Sequence, residues 1–181
     1  YSPEFTESES FAWRGRLALA MGRSDTAVVY LDRAVGLDPD NGEYHAYLGE
    51  SHRSGESYYL AEQSLGQATR LDPKLAVAQH FLGLLYNDLG LFPLAVLAFD
   101  QAISLDPGLA DAYAGRAKAF QLRDIFAKSG LATREFEELM RDYSPEFTES
   151  ESFAWRGRLA LAMGRSDTAV VYLDRAVGLD P

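Results

Sequence analysis

The amino-acid sequence predicts an all-α fold, an α-solenoid of stacked helix-turn-helix hairpins. Three observations carry that reading. Pro39, Pro73 and Pro107 each close the same Leu-Asp-Pro phrase and stand 34 residues apart. Between them small residues recur in phase: Gly15, Gly49 and Gly83, then Ala27, Ala61 and Ala95, then Ala34, Ala68 and Ala102. A bulky Leu31, Leu65 or Phe99 sits among them each time. Finally, residues 1–39 return without one substitution as residues 143–181. Self-similarity at a fixed period of this size marks an array whose repeats bury their apolar faces by stacking on one another.

Each hairpin can be read in order. AYLGESH and HFLGLLYNDLG carry apolar residues three and four apart, the pattern of an amphipathic first helix. Gly22, Gly55 or Gly90 follows, suited to a helix C-cap, and Ser24-Asp25 or Pro93 opens the second helix. That helix runs to Leu-Asp-Pro, where Pro cannot continue it and drives the preceding Asp out of the α region. With each Pro at position 32, the repeats span 8–41, 42–75 and 76–109. A degenerate fourth, 110–149, keeps Tyr113, Ala117 and Phe120 in phase but carries six extra residues. Three are assigned to a turn around Lys128–Gly130 and three to the stretch near Tyr143–Pro145. A partial fifth repeat, 150–181, is the first again, so the super-period is 142 residues and one solenoid spans 1–181.

Gly or Ala at position 8, Ala at 20 and 27, aromatic or large residues near 11 and 24, and Pro at 32 together resemble the tetratricopeptide repeat (TPR). Residues 76–109 carry the pattern most fully, with Leu82, Gly83, Tyr86, Gly90, Ala95, Phe99, Ala102 and Pro107. The second repeat departs at His45 and His52, and the first at Arg14 and Ala18. The resemblance implies a right-handed superhelix whose first helices line a concave groove through positions 2, 5, 6, 9, 12 and 13. Carried onto this chain, position 6 reads Trp13, Tyr47, Phe81, Gly115 and Trp155, an aromatic ladder broken once. Position 9 reads Arg16, Glu50, Leu84, Lys118 and Arg158, and position 12 adds Arg53, Asn87 and Gln121. Aromatic and Arg side chains most often carry interface energy, so these residues are the expected peptide-binding groove. The alternative is that the ladder only packs along the inner wall. TPR domains that clamp an acidic C-terminus resemble one another in a Lys/Asn/Asn/Lys/Arg set. The matching positions here hold Ala12, Arg16, Tyr47, Val77 and Phe81, so that clamp is missing.

Composition narrows the partners. A net charge of −10 gives no general attraction to phosphate backbones or anionic lipid, which argues against nucleic acid and membrane. The absence of Cys excludes disulfides and thiolate metal sites and leaves cytosol and periplasm open. No apolar run is long enough for a bilayer span and no signal pattern opens the chain, although a start at Tyr1 rather than Met reads as part of something longer. GxxxxGK[ST], GxGxxG, GxSxG and HExxH do not occur. His45 and His52 share a helix face but stand about 10 Å apart along it, too far for one metal ion. EFTESES reads as carboxylates at the positive end of a helix, and REFEEL as a solvated face. No catalysis, cofactor or metal is therefore expected, and the partner is a protein or peptide.

Drift erases identity first at exposed positions, yet Ser8, Glu9, Arg23 and Asp32 match Ser150, Glu151, Arg165 and Asp174. A recent duplication, an appended copy or a sample of a longer tandem array would each explain this. In all three cases the end of a 142-residue period accepts the start of another. The face that repeat two covers with Tyr44, Leu48 and His52 is expected to be bare in the second copy. Head-to-tail self-association into oligomers or fibres follows as a second expected role, with a charge at Leu48 or Leu173 expected to block it.

Overall fold

Helices begin where side chains can satisfy the first free backbone N–H groups, and this chain supplies such caps. The structure, a computed structural model, describes residues 5–128, 138–139, 141–142, 148–162 and 164–179. Every regular element among the described residues is helical. In chain order they are α1 (Glu7–Ala20), α2 (Ser24–Leu37), α3 (Gly42–Ser54), α4 (Tyr58–Leu71), α5 (Ala76–Asp88), α6 (Phe92–Leu105), α7 (Ala110–Lys128), α8 (Glu149–Ala162) and α9 (Ser166–Leu179). The fold is an all-α helical repeat of the solenoid class. Its contacts group residues 1–85 with 97–116 as one unit, and 86–96 with 117–181 as a second.

Thr6 caps α1 in a reciprocal box: its hydroxyl accepts from the Glu9 N–H at 3.2 Å, and its own N–H donates to Glu9 Oε2 at 2.7 Å. The Thr6 N–H, and after it the Thr6 hydroxyl donating to the same oxygen at 2.9 Å, hold the Glu9 carboxyl below its ordinary pKa. Thr148 and Glu151 repeat the box at α8, with bonds of 3.3 and 2.8 Å. Asn41 caps α3 by accepting from the N–H groups of Glu43 and Tyr44. The second helices stop as expected: Asp38 (φ −141°) and Asp72 (φ −134°) have left the α region before their prolines.

The turns inside the hairpins depart from the sequence reading in one place. Gly22, Gly90 and Gly164 take φ between 71° and 74°, and the next N–H reaches back to the last turn, as from Arg23 to the Ala18 carbonyl at 2.9 Å. In repeat two the left-handed residue is Glu56 (φ 59°), whereas Gly55, expected to be the cap, keeps φ −91°. The glycine stands one residue early, so a side chain occupies a conformation that costs L-residues roughly 1–2 kcal/mol. Glu56→Gly is therefore expected to stabilise the chain by about 1 kcal/mol in urea titration. A loss of stability would contradict this cap. Lys128, where a further turn is expected to begin, is the last residue of α7. Residues 129–130 and 143–147 lie outside the described residues.

Why the phased small residues matter is plain in the packing. A Cβ on Gly15 would stand 2.5 Å from Leu31 Cγ, one on Gly49 2.6 Å from Leu65 Cγ, and one on Gly83 2.6 Å from Phe99 Cε1. Position 8 must be bare because the position-24 side chain of the same hairpin fills that space. Ala27, Ala34, Ala61, Ala68 and Ala102 are fully buried, which brings successive helices close. Repeat one then packs on repeat two through α2 and α3, with Ala18, Ala27, Leu31 and Leu48 in one cluster and Ala12, Ala34 and Tyr44 in another.

In the second unit, Leu89, Leu91, Phe92, Leu94 and Ala95 are buried around the turn between α5 and α6. Leu159, Ala160, Ala169 and Tyr172 form the core side of the α8–α9 hairpin, where a Cβ on Gly157 would stand 2.5 Å from Leu173 Cγ. No described helix is long and apolar enough to cross a membrane.

Candidate functional site

Within the first unit, α1 and α3 bring the predicted groove residues of two repeats together. Trp13 and Arg16 lie one turn apart on α1, and Glu43, Tyr44 and Tyr47 rise from α3 beside them. Phe5, Trp13, Arg16, Asn41, Tyr44 and Tyr47 bound a shallow cleft of about 270 Å³. Arg16 bridges its walls: Nη1 donates to Glu43 Oε1 at 3.0 Å while the guanidinium lies 4.4 Å above the Tyr47 ring. Both charges of that pair are about half exposed, so its energetic value is small and its effect is to fix the orientation of Tyr47. Burial raises the pKa of the Tyr47 phenol, against the opposing pull of the Arg16 charge.

The aromatic line continues inward. Tyr47 meets Phe81 edge to face at 5.4 Å, and Phe81 is flanked by His80 at 5.6 Å. Trp13, at 58% exposed, is the part of this line most open to solvent. The Gly115 gap in the ladder has a packing cause: a Cβ there would stand 2.5 Å from Phe99 Cε1. Glu50 and Arg53 form a two-pronged ion pair along α3, with both contacts at 2.7 Å. Leu84 is partly buried.

Two contributors were not singled out from the sequence. Glu43 orders Arg16 from position 2. His80, at position 5, lies between Phe81 and Phe99, whose ring is 5.7 Å away. Both positions are groove-facing in the expected pattern, which is the signal that could have found them. Burial holds the His80 pKa below its ordinary value, outweighing the opposite influence of Asp111 and Glu50, and Arg53 adds to the lowering. His52 is lowered by burial too, against the pull of Asp32. Because folding lowers both pKa values, the unfolded chain binds more protons as pH falls below its ordinary His pKa of about 6.5. Stability is expected to be complete above that pH and to fall as pH drops towards 5. His80→Leu should flatten that slope in thermal melts; a slope unchanged by the substitution would contradict the assignment.

The remaining predicted groove residues belong to the second unit. Asn87 is buried, and Lys118, Gln121 and Arg158 are exposed on α7 and α8. Trp155 corrects the sequence reading. It is 4% exposed and its indole N–H donates to the Leu139 carbonyl at 2.7 Å, so it anchors its own core and presents no ring to a partner. Its twin Trp13 has the same neighbours in sequence but lacks that cover.

Comparison with known proteins agrees with this architecture. The profile described as tetratricopeptide repeat matches residues 14–76, 76–109 and 150–181. No curated protein sequence matches the chain significantly. Among solved structures, the Sgt2 TPR domain from Aspergillus fumigatus is 19% identical with a TM-score of 0.63, covering 80% of this chain and 92% of that one. MamA is 21% identical with a TM-score of 0.52, covering 95% of this chain and 77% of that one. The second TPR domain of human RPAP3, in complex with an HSP70 peptide, is 22% identical with a TM-score of 0.53, covering 62% of this chain and 97% of that one. At such identities the likeness shows the fold. Phased glycines under position-24 side chains, Leu-Asp-Pro stops and the profile matches over most of the chain agree, and the chain belongs to the tetratricopeptide repeat family.

Proposed function

We infer that this chain is a non-catalytic protein-interaction scaffold that takes an extended or helical peptide segment against α1 and α3. The observation that carries the reading is the Trp13–Tyr47–Phe81 line: an open indole, a half-buried phenol held by Arg16, and a buried phenyl behind it. An apolar or aromatic anchor of the partner would cover Trp13, and the Arg16–Glu43 and Glu50–Arg53 pairs would set register through the partner's polar groups. The human RPAP3 domain bound to an HSP70 peptide supports the reading as a precedent for peptide capture on this fold. The carboxylate-clamp positions nevertheless hold Ala12, Arg16, Tyr47, Val77 and Phe81, so an internal segment fits this surface better than an acidic C-terminus.

Capture from a source lysate followed by titration of the purified partner tests this. Trp13→Ala with Tyr47→Ala should weaken binding by about 2 kcal/mol or more, roughly thirtyfold, while helicity is retained. Capture that survives both substitutions would exclude the aromatic surface.

A further inference from the structure

The duplicated hairpin occurs in this chain with two different sets of neighbours. In the first copy, Leu19, Val28 and Val35 are packed against repeat two, with Tyr44, Tyr47 and Leu48 over them. Its other face is open, with Leu17 45% exposed. In the second copy the burial is inverted. Leu159, the twin of Leu17, is fully buried, whereas Val177, the twin of Val35, is 64% exposed, and Leu161 and Val170, the twins of Leu19 and Val28, are exposed as well. The letters are identical, so neighbours alone cause the difference. The open face of α8 and α9 is thus a surface whose proper cover is known from the same chain: the leading face of α3.

We propose that this face docks repeat two of a second copy of the chain, taking the place of that copy's own first hairpin. Beyond the peptide-binding reading, this gives the duplicated segment a self-assembly role. In a repeat array, stability is the sum of each hairpin's own term and its neighbour interfaces, and a hairpin cannot bury its apolar face alone. Before exchange, two hairpins each serve one interface. Afterwards one hairpin serves both, and the displaced one no longer bears the entropy cost of ordering its backbone. Loss of translational freedom opposes the exchange, so assembly grows with concentration. Because the donor face and the acceptor repeat are different surfaces, the contact is head-to-tail and propagates.

Leu48 packs across the chain's own first contact, against Ala18, Ala27 and Leu31, and Leu173 packs inside its hairpin where Gly157 lacks a Cβ, so a charge at either would also disturb packing within the single chain. Val177 is the residue to alter. Arg16 and Glu43 mark the interface by charge, and Arg158 is the twin of Arg16.

Sedimentation velocity on the full chain across concentration tests the exchange. The mass of the unaltered chain should rise with concentration. Val177→Glu should weaken association at least about tenfold with unchanged melting, since a charge would enter an apolar contact. Arg158→Glu should weaken it as well, by placing two acids in opposition. Adding Glu43→Arg to that variant makes the chain's own first pair repulsive and the exchanged pair attractive. The double variant should therefore associate more tightly than the unaltered chain, on the order of fivefold. A monomer at every concentration would overturn the proposal. So would Val177→Glu behaving like the unaltered chain, or a double variant no tighter than Arg158→Glu.

Discussion

Phe99→Ala is expected to lower stability by about 3–5 kcal/mol, a large share of what a domain of this size holds. Phe99 is fully buried, and its ring fills the room left by two absent Cβ atoms, at Gly83 and Gly115, with His80 against it. Removing the ring opens a cavity that rigid helix backbones cannot close. The reverse fault, Gly83→Leu, should cost about 1–3 kcal/mol by overpacking, despite the better helix propensity of Leu. The two effects should not add. In the double variant the new side chain enters the space the ring has left, so the combined loss in urea titration should fall below the sum of the single losses. Additive losses would mean that positions 8 and 24 do not share one space.

Trp155→Ala is the second large effect, expected to cost about 3–5 kcal/mol, whereas Trp13→Ala should change stability by about 0.5 kcal/mol or less. One residue type in one local sequence would thus carry two roles. Trp155 is enclosed and donates to the Leu139 carbonyl, while Trp13 is mostly open. Thermal melts of the two variants side by side decide it. Equal losses would contradict the inverted burial of the two copies.

That pair also marks where the sequence stops being informative. The phased glycines and alanines could be read because each answers a contact within its own hairpin: Gly49 under Leu65, Gly83 under Phe99. The ends of the second helices could be read because Pro acts on the residue before it, as at Asp38 and Asp72. The burial of Trp13 and Trp155 could not be read, since no letter within residues 1–39 or 143–181 distinguishes them. Their difference arises from neighbours more than ten residues away. The same holds for His80, which is buried with its ring tilted against Phe81 on its own helix and Phe99 on the next. Glu56 escaped for a local reason: a glycine one position earlier satisfied the expected cap pattern while the backbone placed the left-handed turn after it.

The central claim is that Trp13 forms the open end of a binding surface. With Trp155→Phe in place, Trp13 is the sole indole, and its emission reports that surface alone. Addition of a captured partner to saturation should shift the emission to shorter wavelength and protect it from aqueous quencher. A saturated complex in which Trp13 stays as quenchable as in the free chain would contradict the claim.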